Sequence, residues 1–264
     1  MILTSTCEIS YTNDSEVPAI FMLRPRSGWA QWIIEESYHI SPKGQIVEFE
    51  DLYGNLCQRL IMPQGDFQVS IKVRADVQDE LDVDLDAPIM PVQSLPTDVL
   101  HYLLPSRYCQ SDQIGDLIKE IPGTQTQTYR SVEAIRAWIH RHITYEYGTS
   151  DASTSALDTA KSRHGVCRDF AHLGISLCRG LSIPSRMVVG FLHGLDPMDL
   201  HAWFEAYLNG RWYTFDATQD RPRGNRIVVA YGRDAADVAL STTFAPSKLN
   251  SMKVSVTPAS PSTA

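Results

Sequence analysis

The chain has 264 residues, 43% of them hydrophobic, and a formal net charge of −8. Such a length buries one large core or two modest ones, and the acidic balance argues against a nucleic-acid partner. No run of about 18 apolar residues is present to cross a bilayer, and the first nine residues lack the basic and apolar regions of a signal peptide. We therefore expect a cytoplasmic protein with no membrane partner.

The first third of the chain predicts antiparallel β-structure. Six runs alternate between apolar and polar residues, and proline or glycine turns separate most of them. These runs cover residues 7–12, 19–23, 32–40, 45–50, 58–62 and 67–77. Their spacing predicts a small β-sandwich domain over residues 1–86. The acidic run 79–86 and the prolines after it mark a linker or lead-in segment at 87–110.

A cysteine is predicted at the start of a helix. A short helix begins at a cap residue, Ser155 or Thr154, and we expect a left-handed Gly165 to end it. A second helix follows from Cys167 to Gly180. Cys167 would lie in its first turn, where unpaired backbone N–H groups and the helix dipole favour a thiolate. The same N–H groups can stabilise the oxyanion of a tetrahedral intermediate.

A histidine and an aspartate are predicted on one hairpin. Two aromatic-rich runs, 201–208 and 211–217, are joined by Asn209-Gly210, a strong signal for a two-residue turn. Counting back from that turn makes His201 and Asp216 diagonal neighbours on one face, with backbones roughly 7–8 Å apart. A thiol, an imidazole and a carboxylate in this order suit a nucleophile, a base and a group that orients the base.

The remaining elements complete an α+β domain. Residues 130–143 have the helical period, and residues 186–192 and 227–231 read as strands. With the hairpin, these strands would form an antiparallel sheet on which the apolar Cys167 helix packs. We assign residues 111–256 to this core and residues 257–264 to a flexible tail.

Three segments resemble the bacterial transglutaminase-like cysteine protease family. They are Gly165-Val-Cys-Arg-Asp-Phe-Ala171, His201-Ala-Trp-Phe-Glu-Ala-Tyr207 and Arg211-Trp-Tyr-Thr-Phe-Asp-Ala-Thr218. The resemblance implies a papain/transglutaminase-like core behind a β-rich N-terminal domain. It also implies that Cys167 is the nucleophile, His201 the general base and acid, and Asp216 the orienting carboxylate. Members of this superfamily hydrolyse amides, cross-link them or do no chemistry.

We therefore predict a thiol-dependent hydrolase that cleaves peptide or side-chain amides through a thioester, with a peptide or protein as its substrate. A protein-glutamine transglutaminase or deamidase, and a non-catalytic peptide-binding module that keeps the fold, are the alternatives. A metal site built from the same three residues is disfavoured because dense ligand spacing is absent. No cofactor or metal is expected. The substrate, the oligomeric state and the second oxyanion donor stay open.

Other cysteines, histidines and acids are less suited to catalysis. The five cysteines form an odd set without CxxC spacing, which signals neither a disulfide framework nor a zinc site. His164 ends a predicted helix, His172 is buried within the next, and His193 has no carboxylate at matched hairpin spacing. Asp169 is interpreted as a first-turn acid that stabilises the helix.

Overall fold

The N-terminal third forms antiparallel strands at the places that the sequence predicts. The computed structural model describes residues 1–28 and 31–259. The strands are β1 (Ile2–Asn13), β2 (Val17–Arg24), β3 (Gln31–Ser41), β4 (Ile46–Glu50), β5 (Leu56–Met62) and β6 (Gly65–Val77). Along β1 and β6 buried residues alternate with more exposed ones, as expected of strands with one face on a core.

The next part of the chain builds a mixed helix and strand core. Its elements are α1 (Gly115–Lys119), α2 (Tyr129–His142), β7 (Thr144–Tyr145), α3 (Ala156–Ser162), β8 (His164–Gly165), α4 (Cys167–Gly180), β9 (Ser185–Leu192), β10 (Leu200–Leu208), β11 (Arg211–Phe215) and β12 (Arg226–Gly232). The sheet has the order β11-β10-β9-β12, and its pairs are antiparallel. Helix α4 packs on this sheet. The predicted α+β fold, with the cysteine helix on an antiparallel sheet, is confirmed.

The end of the chain returns to the N-terminal sandwich. Strand β13 (Ser241–Thr243) pairs with β2, and β14 (Lys248–Pro258) pairs with β1 over nearly its whole length. Within the described ranges, the sandwich therefore has two sheets of four strands, β14-β1-β6-β3 and β13-β2-β5-β4. The sequence prediction assigns β13 and most of β14 to the core and the end of β14 to the tail, whereas both strands pair with strands of the sandwich. Such long-range pairing leaves no local signal in the sequence. Residues 260–264 of the predicted tail lie outside the described residues.

The predicted lead-in segment, residues 87–110, lies against the core. It contains 3₁₀ turns at Val92–Ser94 and Thr97–Leu103, and a third such turn, Thr124–Thr126, precedes α2. Tyr102 is buried, and its ring meets that of Trp212 edge-on at 5.2 Å between centroids. In the described part of the chain, none of the helices is both long enough and apolar enough to cross a bilayer.

A glycine sets the distance between α4 and the sheet. A Cβ atom at Gly174, in the middle of the helix, would lie 2.4 Å from the Phe204 ring on β10. Phe204 is fully buried and stacks on Phe215 of β11. Only a residue without a side chain allows this approach. The contact fixes α4, and with it the helix start, against the two strands of the hairpin.

Two side-chain amides join the sandwich to the core. Strand β12 is an edge strand, so its outer N–H and C=O groups need partners. The Gln31 amide accepts a hydrogen bond from the Val228 N–H and donates one to the Val228 C=O, both at 2.7 Å. The Asn55 amide likewise accepts a hydrogen bond from the Tyr231 N–H at 2.9 Å and donates one to the Tyr231 C=O at 2.7 Å. Each amide thus continues the β-ladder across the domain boundary.

A bulge makes this arrangement possible. Residues three apart on a regular strand face opposite edges. The pairing of β12 with β9 shifts register between Val228 and Ala230, which inserts one extra residue. Val228 and Tyr231 can therefore both face the sandwich.

We expect Gln31→Ala and Asn55→Ala each to lower the free energy of unfolding by about 1–3 kcal/mol, because each leaves a backbone N–H and C=O of β12 without partners, buried at Val228 and half-buried at Tyr231. Denaturant titration followed by fluorescence would measure the change. The control is Gln45→Ala at an exposed position, which should leave stability nearly unchanged. An equal effect of all three substitutions would contradict the role given to the amides.

Candidate active site

Cys167 is the first residue of α4, as predicted. Asp169 is fully buried, and its carboxylate accepts the N–H of Val166 at 2.9 Å, which fixes the start of the helix. The Arg168 guanidinium donates to the other oxygen of the same carboxylate, at 3.1 Å from Nη2. Asp169 is thus a structural acid, as interpreted from the sequence. Cys167 itself is half-buried, so its thiol can meet a ligand.

The entry to this helix differs from the prediction in one detail. The left-handed residue that ends α3 is Arg163, with φ of 63°. Gly165 instead forms part of β8, where a Cβ atom would lie 2.8 Å from the Asp169 Cβ. The predicted left-handed role of Gly165 is therefore wrong. The glycine is needed because Asp169 folds back over it to reach Val166.

The predicted hairpin register is confirmed. Asn209 and Gly210 both have positive φ, 47° and 83°, as a two-residue type I′ turn requires. The ladder runs from the turn to Phe204 and Phe215, where the strand pairing of β11 ends. Asp216 follows directly, and its carboxylate reaches back to His201.

His201 and Asp216 form a buried pair. The distance from His201 Nε2 to Asp216 Oδ2 is 2.8 Å, and both side chains are almost wholly inaccessible. The other ring nitrogen, Nδ1, does not contact the carboxylate, and the Cys167 thiol lies close enough to the imidazole to help raise its pKa. The structure therefore brings together the three residues that the sequence singles out.

The carboxylate of Asp216 is surrounded by donors. Oδ1 accepts the N–H of Thr218 at 3.0 Å and its hydroxyl at 2.7 Å. Oδ2, besides His201, accepts from Nη2 of Arg226 at 2.8 Å. Burial alone would raise the pKa of Asp216, but the charges of His201 and Arg226 hold that pKa well below its usual range. Asp216 therefore remains a carboxylate.

That carboxylate favours the charged form of the imidazole. Burial alone would lower the pKa of His201, but Asp216, together with the Cys167 thiol, raises it to about 9. His172, a rival in the sequence, is different: burial lowers its pKa to about 4. His172 Nε2 accepts the N–H of Ala235 at 3.1 Å, so this ring is a neutral structural group.

A cavity of about 220 Å³ opens beside His201. His201, Thr218 and Gln219 line one part of it, and Tyr145 and Tyr147 line another. The remaining lining comes from the β9–β10 loop, namely Leu195, Asp196, Pro197, Asp199 and Leu200. A substrate group placed in this cavity would lie next to the imidazole.

The comparisons with known proteins agree with this architecture. Residues 115–217 match the Transglutaminase-like superfamily, and residues 8–78 match the Bacterial transglutaminase-like N-terminal region. The crystal structure of a "putative cysteine protease" from Cytophaga hutchinsonii is 37% identical, with a TM-score of 0.90 over 97% of this chain and 90% of that one. The chain belongs to the transglutaminase-like superfamily.

Two mycobacterial proteins are also similar. An uncharacterized protein of Mycobacterium leprae is 34% identical over 119 residues, which are 42% of this chain and 42% of that protein. One of Mycobacterium tuberculosis is 33% identical over 145 residues, 48% of this chain and 46% of that protein. The chain spans less than half the length of these relatives. Membership of the superfamily, with the Cytophaga neighbour, supports an enzyme of this class.

Sequence reasoning missed three residues around the transglutaminase-like site. Thr218 and Arg226 hold the carboxylate, and Tyr145 lines the cavity. Of these, only Thr218 has a sequence signal, since a threonine two residues after an aspartate suits a turn closed by the aspartate side chain. Among residues 1–28 and 31–259, no three His, Cys, Asp or Glu side chains are grouped in a way that could hold a metal ion.

We expect the His201–Asp216 pair to give stability a defined pH dependence. The pKa of His201 is about 9 in the folded protein against 6.5 for the ordinary group. The contribution of the pair is therefore complete below about pH 6.5 and is lost as the pH rises through about 9.

Unfolding free energies of the protein and of His201→Gln should accordingly differ most below pH 6.5 and converge towards pH 9. The exposed His39→Gln is the matched control and should follow the unsubstituted protein throughout. A His201→Gln difference that is constant across this pH range would contradict the raised pKa.

Proposed function

We propose that the protein is a thiol-dependent hydrolase of peptide or side-chain amides, with Cys167, His201 and Asp216 as its catalytic residues. The observation that carries the proposal is the buried His201–Asp216 hydrogen bond of 2.8 Å. It turns the second ring nitrogen towards a thiol at a helix start, beside an open cavity. Nucleophile, base and orienting group are thus in the order that the chemistry needs.

Each step assigns one proton or one bond to these residues. The Cys167 thiolate attacks the amide carbonyl, and a tetrahedral oxyanion forms. The His201 imidazolium gives its proton to the amide nitrogen, the C–N bond breaks, and an amine leaves a thioester on Cys167. His201, now neutral, takes a proton from water as the water attacks the thioester. The acid leaves, and the thiolate and imidazolium are restored.

We assign the oxyanion to the start of α4. The Cys167 N–H is one donor, because the first N–H groups of a helix have no partner within it. Tyr145 supplies the second, since its backbone pairs with Gly165 in the short ladder of β7 and β8. Its hydroxyl lies beside Cys167. Burial and the neighbouring Cys167 thiol raise the pKa of Tyr145, so the hydroxyl keeps its proton.

The comparisons support the class of reaction rather than its details. The similar Cytophaga protein is described as a cysteine protease, and the matched superfamily takes its name from transamidation. If an amine replaced water in the second half-reaction, the same residues would form a new amide. Water on a glutamine thioester would give deamidation. The cytoplasmic location and the peptide or protein substrate stay predictions.

Substitution of the nucleophile tests the proposal. Incubation of the protein with a peptide mixture, followed by mass spectrometry, should yield shortened chains or converted side-chain amides, and Cys167→Ala should yield neither. The control is Cys178→Ala, a fully buried thiol on the same helix, which should keep activity. Turnover by the Cys167→Ala protein would exclude the mechanism. Linked peptides would favour transamidation.

We expect Tyr145→Phe to lower kcat by about 100-fold with little change in KM, because one oxyanion donor acts mainly in the transition state. Steady-state kinetics on a peptide found in the mass-spectrometric assay would measure both constants. Tyr108→Phe is the control, since that hydroxyl donates to the Ala152 C=O at 2.8 Å. Equal losses in the two variants, or a change confined to KM, would remove Tyr145 from the oxyanion site.

A further inference from the structure

A buried arginine shares the carboxylate that holds the histidine. Arg226, the first residue of β12, donates from Nη2 to Oδ2 of Asp216 at 2.8 Å. The same oxygen accepts from His201 Nε2 at 2.8 Å. The side chains of the three residues are each at most 5% exposed. Two cationic donors therefore compete for one oxygen in a place that water does not reach.

The rest of the structure fixes that guanidinium in place. Its Nε donates to the C=O of Arg223 at 2.9 Å. Its central carbon lies 4.8 Å from the centre of the Trp203 ring. The fully buried Trp203 in turn stacks on the His201 imidazole, with 6.0 Å between ring centroids and 30° between planes. Arg226 is thus held relative to both members of the pair.

We propose that Arg226 is a positioning residue. It aligns the Asp216 carboxylate and reduces how strongly that carboxylate stabilises the protonated His201 imidazole. The inference rests on the proposed function, in which His201 must both keep a proton beside the thiolate and give it to the leaving amine. A buried carboxylate paired with His201 alone would hold that proton too strongly. Because Arg226 takes part of the negative charge, the imidazolium becomes a better acid.

Other polar and charged groups also face the pair or its cavity. They are Cys167 from α4, Tyr145 and Tyr147 near β7, Asp196 and Asp199 from the β9–β10 loop, and Thr218 and Gln219 after β11. None of these carries a fixed positive charge. Arg226 contacts Asp216 directly in a buried place, whereas the carboxylates of Asp196 and Asp199 are nearer to solvent. Loss of the Arg226 charge should therefore change the titration of His201 more than these two carboxylates do.

The test compares Arg226→Gln, which removes the charge, with Arg226→Lys, which keeps it. We expect the alkaline limb of the pH profile of kcat/KM to move upward by roughly one pH unit in Arg226→Gln. Arg226→Lys should restore most of the original position. The matched control is Arg221→Gln, at an exposed position five residues earlier. It should not move the limb.

A second measurement needs no substrate. NMR titration of the His201 ring in labelled protein should show the same upward shift in Arg226→Gln, so the inference is decided even if no amide is ever cleaved. The contrary outcome is that Arg226→Gln loses rate while the alkaline limb of the kcat/KM profile and the titration of the His201 ring both stay in place. That result would overturn the proposal, because it is what a purely structural arginine would give. If Arg226→Gln did not fold, the test would rest on Arg226→Lys, which keeps the positive charge. The His201 ring should then titrate close to its original pH in this variant, and a clear upward shift would overturn the proposal.

Discussion

The buried hydrogen bond between His201 and Asp216 is the interaction on which the rest of the site depends. Two groups that carry charge are removed from water there, and such a pair is stable only when its remaining lone pairs and protons are also satisfied. The structure meets this demand with the N–H and hydroxyl of Thr218 and with Arg226. The hairpin, its following turn and the edge strand β12 therefore all converge on one carboxylate.

The position of the Cys167 thiol depends on how helix α4 packs on the sheet that carries His201. Gly174 lets α4 approach Phe204 of β10, the strand that carries His201, and so sets the height of the helix over the sheet. At the helix start, Asp169 folds over Gly165 to hold Val166. Cys167, the first residue of this helix, therefore lies close to the His201 imidazole. The rigidity of both elements suits a reaction that depends on short distances.

The sandwich and the site are linked through one strand. Strand β12 contributes Arg226 to the carboxylate, and its outer edge is completed by the amides of Gln31 and Asn55. The last strands of the chain, β13 and β14, return to the same sandwich and finish both of its sheets. Hydrogen bonding thus continues from the sandwich to the core and fixes the strand that carries Arg226 to the His201–Asp216 pair.

The sequence by itself determined what depends on neighbouring residues. Strand alternation, the Asn209-Gly210 turn and the start of a helix at Cys167 are local patterns, and counting across a two-residue turn places His201 beside Asp216. Only the tertiary structure decided the pairing of β14 with β1, the close approach that Gly165 allows, and the places of Tyr145 and Arg226. These contacts join residues far apart in the chain or depend on how elements pack, and neither periodicity nor turn chemistry carries that information.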